Sequence, residues 1–206
     1  HDEFTKNPDG SYATPIGFYT RLSNQPDGSF LLEERDGTKK VFGLSTLANH
    51  YVLISIADHN GNQITFNYNT KGYLSEIVDA LGRTITVRWG ANNRISEIED
   101  FSGRKVKYTY DDDYNLTNVT SPATDEYPQG NTTEYAYSSG LEDKKLNHNL
   151  LGVTDPKGQT YLVNYYNADD RVIRQEYGAN DFQIDYLANP DGTFTTTVID
   201  SKGNRR

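Results

Sequence analysis

Apolar residues recur along this chain at a fixed step of 21 residues. Ile56, Ile77, Ile98 and Val119 keep that step, and so do Leu53, Leu74, Ile95 and Leu116. Ile64, Ile85 and Val106 follow it, as do Tyr68, Trp89 and Tyr110, and the glycines Gly61, Gly82 and Gly103. A register held this long marks a tandem array, whose units bury their apolar faces only against their neighbours.

The unit from Ile77 to Glu97 shows the predicted elements. Asp79-Ala80-Leu81-Gly82 predicts a turn, because Asp bonds its own backbone and Gly supplies a positive φ. Thr84-Ile85-Thr86-Val87-Arg88-Trp89 alternates polar and apolar, the period of a half-buried strand. Gly90-Ala91-Asn92-Asn93 predicts a second turn, and Arg94 to Ile98 a second strand. Each unit is thus a β-hairpin with a connecting turn. Asp58 to Gly61 with Phe66 and Tyr68, and Asp100 to Gly103 with Tyr108 and Tyr110, repeat the arrangement. In the second strand Leu74 and Ile77 stand three apart, which breaks period two and predicts a bulge or a strand end.

Val119 to Val153 spans 34 residues, 21 plus an insertion of 13. The surplus falls in two polar, turn-rich stretches, near 122–130 and 138–149, read as longer loops on a preserved hairpin whose first strand carries Tyr135 and Tyr137. Regular units resume with Asp155, Gly158, Tyr161, Val163 and Tyr165, and a looser one follows with Phe182, Ile184 and Tyr186. Residues 1–50 have a different rhythm and read as a leader of hairpins, turned at Asp9-Gly10, Asp27-Gly28 and Asp36-Gly37. Residues 51–206 are the tandem repeats. No stretch has a helical period. The expected fold is all-β: tandem antiparallel hairpins in one long, twisted, spiralling sheet.

The unit Asp-x-x-Gly, strand, Tyr-x-(Asp/Asn)-x-x-(Gly/Asn), Leu-x-x-Val resembles the YD repeat of Rhs proteins. Tyr110-Asp111-Asp112-Asp113-Tyr114-Asn115-Leu116-Thr117-Asn118-Val119 and Tyr165-Tyr166-Asn167-Ala168-Asp169-Asp170-Arg171-Val172 are the closest copies. Tyr166-Asn167 and Tyr68-Asn69 carry Asn where the repeat has Asp, and Trp89-Gly90 replaces the pair. The stretch from Gly17-Phe18-Tyr19 to Val41-Phe42 resembles the segment that precedes such repeats. The resemblance implies a hollow shell enclosing a toxic cargo domain in secreted or cell-surface bacterial proteins, and adhesion in animal teneurins. Some wall-associated relatives imply carbohydrate binding. Neither the family's self-cleaving core region nor a non-repeat cargo is recognisable here.

Charge narrows the partners. A net charge of −9 disfavours nucleic acid and anionic membrane surfaces. No apolar run approaches the ~20 residues of a membrane span. Without Cys there is no disulfide, thiol nucleophile or Cys-based metal site. The chain opens at His1 and stops after Ser201-Lys202-Gly203-Asn204-Arg205-Arg206, which reads like the start of another repeat, so a fragment of a longer protein is expected.

Candidate chemistry is sparse. His1, His50, His59 and His148 do not pair at metal spacing, and they read as solvated residues rather than bases or ligands. Glu76 and Glu97 hold equivalent repeat positions, about 10 Å apart at a strand spacing of ~4.8 Å, close to an inverting glycosidase pair, with Glu99 beside them. The plainer reading is solvated acids on an outer face, and Asn118 ends the series. Asp111-Asp112-Asp113 offers oxygen ligands for calcium but also serves as a simple turn.

Val106, Tyr108 and Tyr110 read as one buried face. Thr65, Asn67, Thr86, Arg88, Lys107 and Thr109 then form the wet one, although exposed Tyr could also stack on sugars. The residues expected to matter are therefore structural: turn residues Asp58, Gly61, Asp79, Gly82, Asp100, Gly103, Asp155 and Gly158, and strand aromatics Phe66, Tyr68, Trp89, Tyr108, Tyr110, Tyr161 and Tyr165. No catalytic residue, metal or cofactor is expected. The expected partners are the remaining repeats and a cargo or toxin domain of the parent chain. Glycan binding is the alternative, a carbohydrate-active enzyme a weaker one, and unpaired strand edges predict self-association.

Overall fold

A computed structural model describes residues 4–45 and 50–206. His1 and residues 46–49, beside the leader–repeat boundary, lie outside the described residues. The chain is all-β, with one 3₁₀ turn, Lys144–Leu146, among the described residues. The leader gives β1 (Thr5–Lys6), β2 (Tyr12–Ala13), β3 (Arg21–Asn24), β4 (Phe30–Glu33) and β5 (Lys39–Leu44). The repeats follow as β6 (Tyr51–Ala57), β7 (Gln63–Tyr68), β8 (Leu74–Val78), β9 (Thr84–Trp89), β10 (Ile95–Glu99), β11 (Lys105–Tyr110) and β12 (Leu116–Thr120). Beyond the first insertion lie β13 (Thr132–Tyr137), β14 (Leu150–Thr154), β15 (Thr160–Tyr166), β16 (Val172–Tyr177), β17 (Asn180–Ala188) and β18 (Phe194–Ile199).

β1 and β2 form a small hairpin, and β3 to β18 run in chain order through a sixteen-stranded antiparallel sheet. The order is linear, with β3 and β18 at its ends. Beyond β18, Val198 and Arg206 exchange backbone hydrogen bonds at 3.0 Å, so the last residues already pair with that strand. By compactness the chain divides into two units, His1–Trp89 with Ile98–Arg104, and Gly90–Glu97 with Lys105–Arg206. Within each unit, strands contact only strands consecutive in the chain.

The bulge expected between Leu74 and Ile77 is present, and it recurs. Asn67 pairs with Glu76 but Tyr68 pairs with Leu74, which leaves Ser75 as the extra residue. The same slip leaves out Ile54 in β6, Thr117 in β12, Leu151 in β14 and Ile173 in β16. A bulge shifts the side-chain alternation by one, so Leu74 and Ile77 share a face although they stand three apart. In the first unit that face holds Phe66, Tyr68, Leu74, Ile77, Ile85, Val87 and Trp89, and Thr65, Asn67, Thr86 and Arg88 lie opposite.

The register corrects one expectation. An extra residue at Tyr161 (Val153 pairs with Leu162, Thr154 with Thr160) shifts the alternation in β15. Leu162, Asn164 and Tyr166 therefore share the apolar face, and Val163 and Tyr165 take the polar one.

The sheet is a single layer with little interior. Val87 and Val153 are the buried apolar residues among those described, and no large side chain is fully buried. The chain exposes 14403 Å². A compact globule of 23.3 kDa would expose about 9,700 Å². Stability here rests on hairpin geometry and strand-to-strand bonds more than on a core.

The turns enforce that geometry. Gly61, Gly82, Gly103 and Gly158 close the connecting turns with φ of 88°, 77°, 84° and 79°. The hairpin turns are less strict: Gly72 is matched by Asn93, Tyr114 and Asp170, all with positive φ. A β-branched residue resists this conformation. Gly82→Val is expected to lower stability by at least ~1 kcal/mol, although no atom lies within 4 Å of the added Cβ position. An unchanged urea midpoint would show that φ is not the constraint there.

Candidate functional site

Most of the predicted residues fall in two constructions, one at the connecting turns and one where successive hairpins join. In the turns the leading Asp acts as a hub. Asp79 Oδ1 accepts the amides of Leu81 and Arg83, both at 2.9 Å, and Arg83 Nε donates to Oδ2 at 2.6 Å. Asp100 does the same with Ser102 and Arg104, Asp58 with Asn60 and Asn62, and Asp155 with Lys157 and Gln159. The hydrogen bond from the Asn62 side chain holds the Asp58 carboxyl below the usual carboxylate range. The side chains of Arg83, Ser102 and Asn204 do likewise at Asp79, Asp100 and Asp200. Arg83 also lies over the Phe101 ring at 5.0 Å, linking the turns of neighbouring repeats.

The second construction explains the aromatic at the end of each first strand. Between hairpins the backbone ladder is short: β6 and β7 share three residue pairs, ending at Ser55 and Thr65. Past that point, beside the bulge, the Leu53 carbonyl accepts a hydrogen bond from the Tyr68 hydroxyl at 2.8 Å. Trp89 Nε1 donates to the Leu74 carbonyl at 2.7 Å, and the Tyr110 hydroxyl to Ile95 at 2.9 Å. Tyr166 reaches the Leu150 carbonyl at 3.1 Å and Tyr186 that of Val172 at 3.0 Å. The ring covers the apolar face while its polar tip satisfies a carbonyl of the preceding hairpin. Trp replaces Tyr without loss, because both carry a donor at the ring's far end. Tyr137, between the two inserted loops, makes no such bond. Burial pushes the Tyr68, Tyr110 and Tyr166 hydroxyls up from the ordinary tyrosine range, so they remain donors.

Other candidates disperse. Glu76 accepts from Asn67 at 3.1 Å, and Glu97 pairs with Lys105 at 3.1 Å. Glu99 pairs with Arg88 at 2.9 Å, so each acid is tied to a nearby polar partner. Asp111 spends both carboxylate oxygens on Asn115. Among the described residues no three His, Cys, Asp or Glu side chains gather as a metal site requires. His148 is exposed, and its Nδ1 shares a hydrogen bond with Asn115 Oδ1 at 3.0 Å. Tyr165 lies on the polar face and donates to Glu176 at 3.1 Å. It shares a charged cluster in which Arg174 holds Asp181 through Nε and Nη2. Each insertion lines a cleft. The one at 122–130 contributes Tyr127 and Gly130 to about 390 Å³, and the one at 138–149 contributes Leu141 and Leu146 to about 470 Å³.

No family model matches the sequence, and no curated protein is similar to it. The fold is similar to a chain of a mutated Photorhabdus luminescens Tc holotoxin pore, with a TM-score of 0.52 and 11% identity over 95% of this chain. This chain spans 13% of that one. The crystal structures of TcdB2-TccC3-Cdc42 and TcdB2-TccC3-TEV align at TM-scores of 0.40 and 0.38, with 10% and 13% identity. They cover 90% and 99% of this chain, which spans 14% of each. At 11% identity the likeness to the holotoxin chain is one of fold alone. No helix among the described residues is long and apolar enough to cross a membrane.

Tyr110→Phe strands the Ile95 carbonyl and is expected to cost about 1 kcal/mol in urea denaturation. Tyr108→Phe, which removes a hydroxyl without a partner among the described residues, is expected to stay within ~0.5 kcal/mol. Equal costs would mean the rings act by packing alone.

The turn carboxyls have folded pKa values below the unfolded 3.8. Their contribution is therefore complete above that value and fades as pH falls through the lower folded values. The urea midpoint should hold above about pH 5 and drop as pH falls from there toward about 2, and less so in Asp79→Asn. A midpoint that ignores acid would remove the turns from the stability account.

Proposed function

We propose that the chain is a wall segment of an Rhs/YD-repeat shell, a structural module without catalysis of its own, in a secreted bacterial protein. The observation that carries this reading is the aromatic-to-carbonyl bond from Tyr68, Trp89, Tyr110, Tyr166 and Tyr186, which joins five of six successive hairpins to the one before. Such a wall grows by addition and needs no closed core. The Asp-x-x-Gly turns and the fold likeness to the holotoxin chain support it. In this reading further repeats of the parent chain extend the wall, and a cargo or toxin domain lies behind it. Containment is the mechanism: a continuous hydrogen-bonded sheet separates cargo from surroundings until delivery.

Limited proteolysis of the full natural chain tests containment. A non-repeat domain resistant to protease in the intact protein, and cut rapidly when expressed alone, is the expected result. Equal cleavage in both settings would overturn containment and favour an adhesive module. That second reading draws on Tyr161 and Tyr177, which are 38% and 51% exposed with ring centroids 5.9 Å apart. Such exposed rings can stack on sugars, and saturable quenching of Tyr or Trp89 fluorescence by oligosaccharides would favour it.

A further inference from the structure

The loop inserted at 138–149 is held more tightly than a tolerated surface insertion requires. Ser138 Oγ donates to the Leu146 carbonyl at 2.5 Å and accepts from the Asn149 amide at 3.0 Å. Asn147 closes the loop on Leu141, accepting from its amide at 2.9 Å and donating to its carbonyl at 3.2 Å. Asp143 caps the 3₁₀ turn. Two bonds then tie the loop to the flanking turns. One joins His148 Nδ1 and Asn115 Oδ1 at 3.0 Å, and the other runs from Asn149 Nδ2 to Asp170 Oδ1 at 2.6 Å. Ordering a chain costs conformational entropy at every residue. A loop held at this many points meets that cost before any partner arrives, which is preorganisation.

The loop builds a cleft of about 470 Å³ against β14 and β15. Leu141, Leu146, the bulged Leu151 and Tyr165 give it apolar walls. Leu141, Leu151 and Tyr165 remain 43%, 38% and 40% exposed, so these walls are open to a ligand. Asn149 and Asn167 also line it. Asn149 spends its Nδ2 on Asp170, and among the described residues its Oδ1 makes no hydrogen bond. Asn167 Oδ1 accepts the amides of Asp169 and Arg171, and its Nδ2 makes no bond among the described residues. One acceptor and one donor thus accompany an apolar surface, in a volume typical of small-ligand sites.

We propose that this cleft binds a phenol-like aromatic ring, whose hydroxyl donates to Asn149 Oδ1 and accepts from Asn167 Nδ2. Apolar walls with two polar contacts suit such a ring better than a sugar, whose many hydroxyls would lose water without replacement. The ring belongs to a free small molecule or to a tyrosine side chain of a polypeptide. The inference is independent of the shell reading.

Leucine-methyl NMR with p-cresol, N-acetyl-tyrosinamide and toluene tests it. Saturable shifts at Leu141, Leu146 and Leu151 are expected with p-cresol, and toluene should bind at least ~5-fold more weakly. Binding of p-cresol without N-acetyl-tyrosinamide identifies a free molecule. Equal or tighter binding of N-acetyl-tyrosinamide identifies a polypeptide side chain. Leu141→Asp should abolish the shifts, and Leu151→Lys removes the opposite wall should the first variant disturb the loop. No saturation below about 10 mM with either ring, or equal shifts at Leu74 and Leu116 on the apolar face, would overturn the proposal.

Discussion

The structure depends on a carbonyl that the backbone ladder cannot satisfy. The hairpins β7–β8, β11–β12, β13–β14 and β15–β16 carry a bulge in the second strand, and the carbonyl beside it lies past the last residue pair shared with the next hairpin. A stranded backbone group costs about 1–3 kcal/mol, a large share of the stability of a chain with almost no core. The aromatic of the following hairpin meets that need, from Tyr68 to Leu53 and again from Trp89 to Leu74. Bulge, aromatic and repeat spacing are therefore one device. Changing the step between Leu53 and Tyr68 would move the donor off its acceptor, so the period of the array is a hydrogen-bonding constraint as well as a packing one.

Nearest-neighbour bonding also sets the energetics. With the described strands of each unit touching only their chain neighbours, each repeat's stability is a sum of its own turn and hairpin terms and its links to two neighbours. The ion pairs add little to that sum. Arg88–Glu99 and Lys105–Glu97 have cationic side chains 48% and 42% exposed, and pairs so placed contribute about 0–1 kcal/mol. Register, by contrast, is fixed firmly. A one-residue slip would turn Val87 and Trp89 to the polar face and expose a run of Thr and Arg on the apolar one.

Much of this was legible in the sequence because the repeat states its own geometry. The Asp-x-x-Gly turns, the strands they bound and the anomaly between Leu74 and Ile77 all follow from local rules, and these depend on nearby residues only. Other features depend on what lies across the sheet. The sequence marks Tyr68 as an aromatic on a half-buried face, but its carbonyl partner, fifteen residues earlier, becomes visible only once β6 and β7 are paired. The shift at Tyr161 was missed for a similar reason. Tyr161, Val163 and Tyr165 alternate as well as any strand in the chain, and the extra residue is set by pairing with β14. Tyr114, at φ 65°, occupies a place that Gly fills at Gly72, and no propensity favours Tyr there. Arg94 lies over its ring at 5.9 Å, a contact that accompanies the strained backbone.

The inserted loops sit differently in this logic. A repeat that spends its polar groups on turns and links has few left for recognition, and the regular units show this: Asp58, Asp79, Asp100 and Asp155 are all committed to their own backbone. An insertion escapes the commitment, because the flanking hairpin stays paired whatever the loop contains. β13 and β14 keep four residue pairs across residues 138–149. The regular wall thereby supplies a rigid base, and a loop fixed to the turns on either side can hold side chains in place at little cost to the array. In a single-layer sheet without a deep interior, that is where selectivity for a ligand can be added without disturbing the period that holds the wall together.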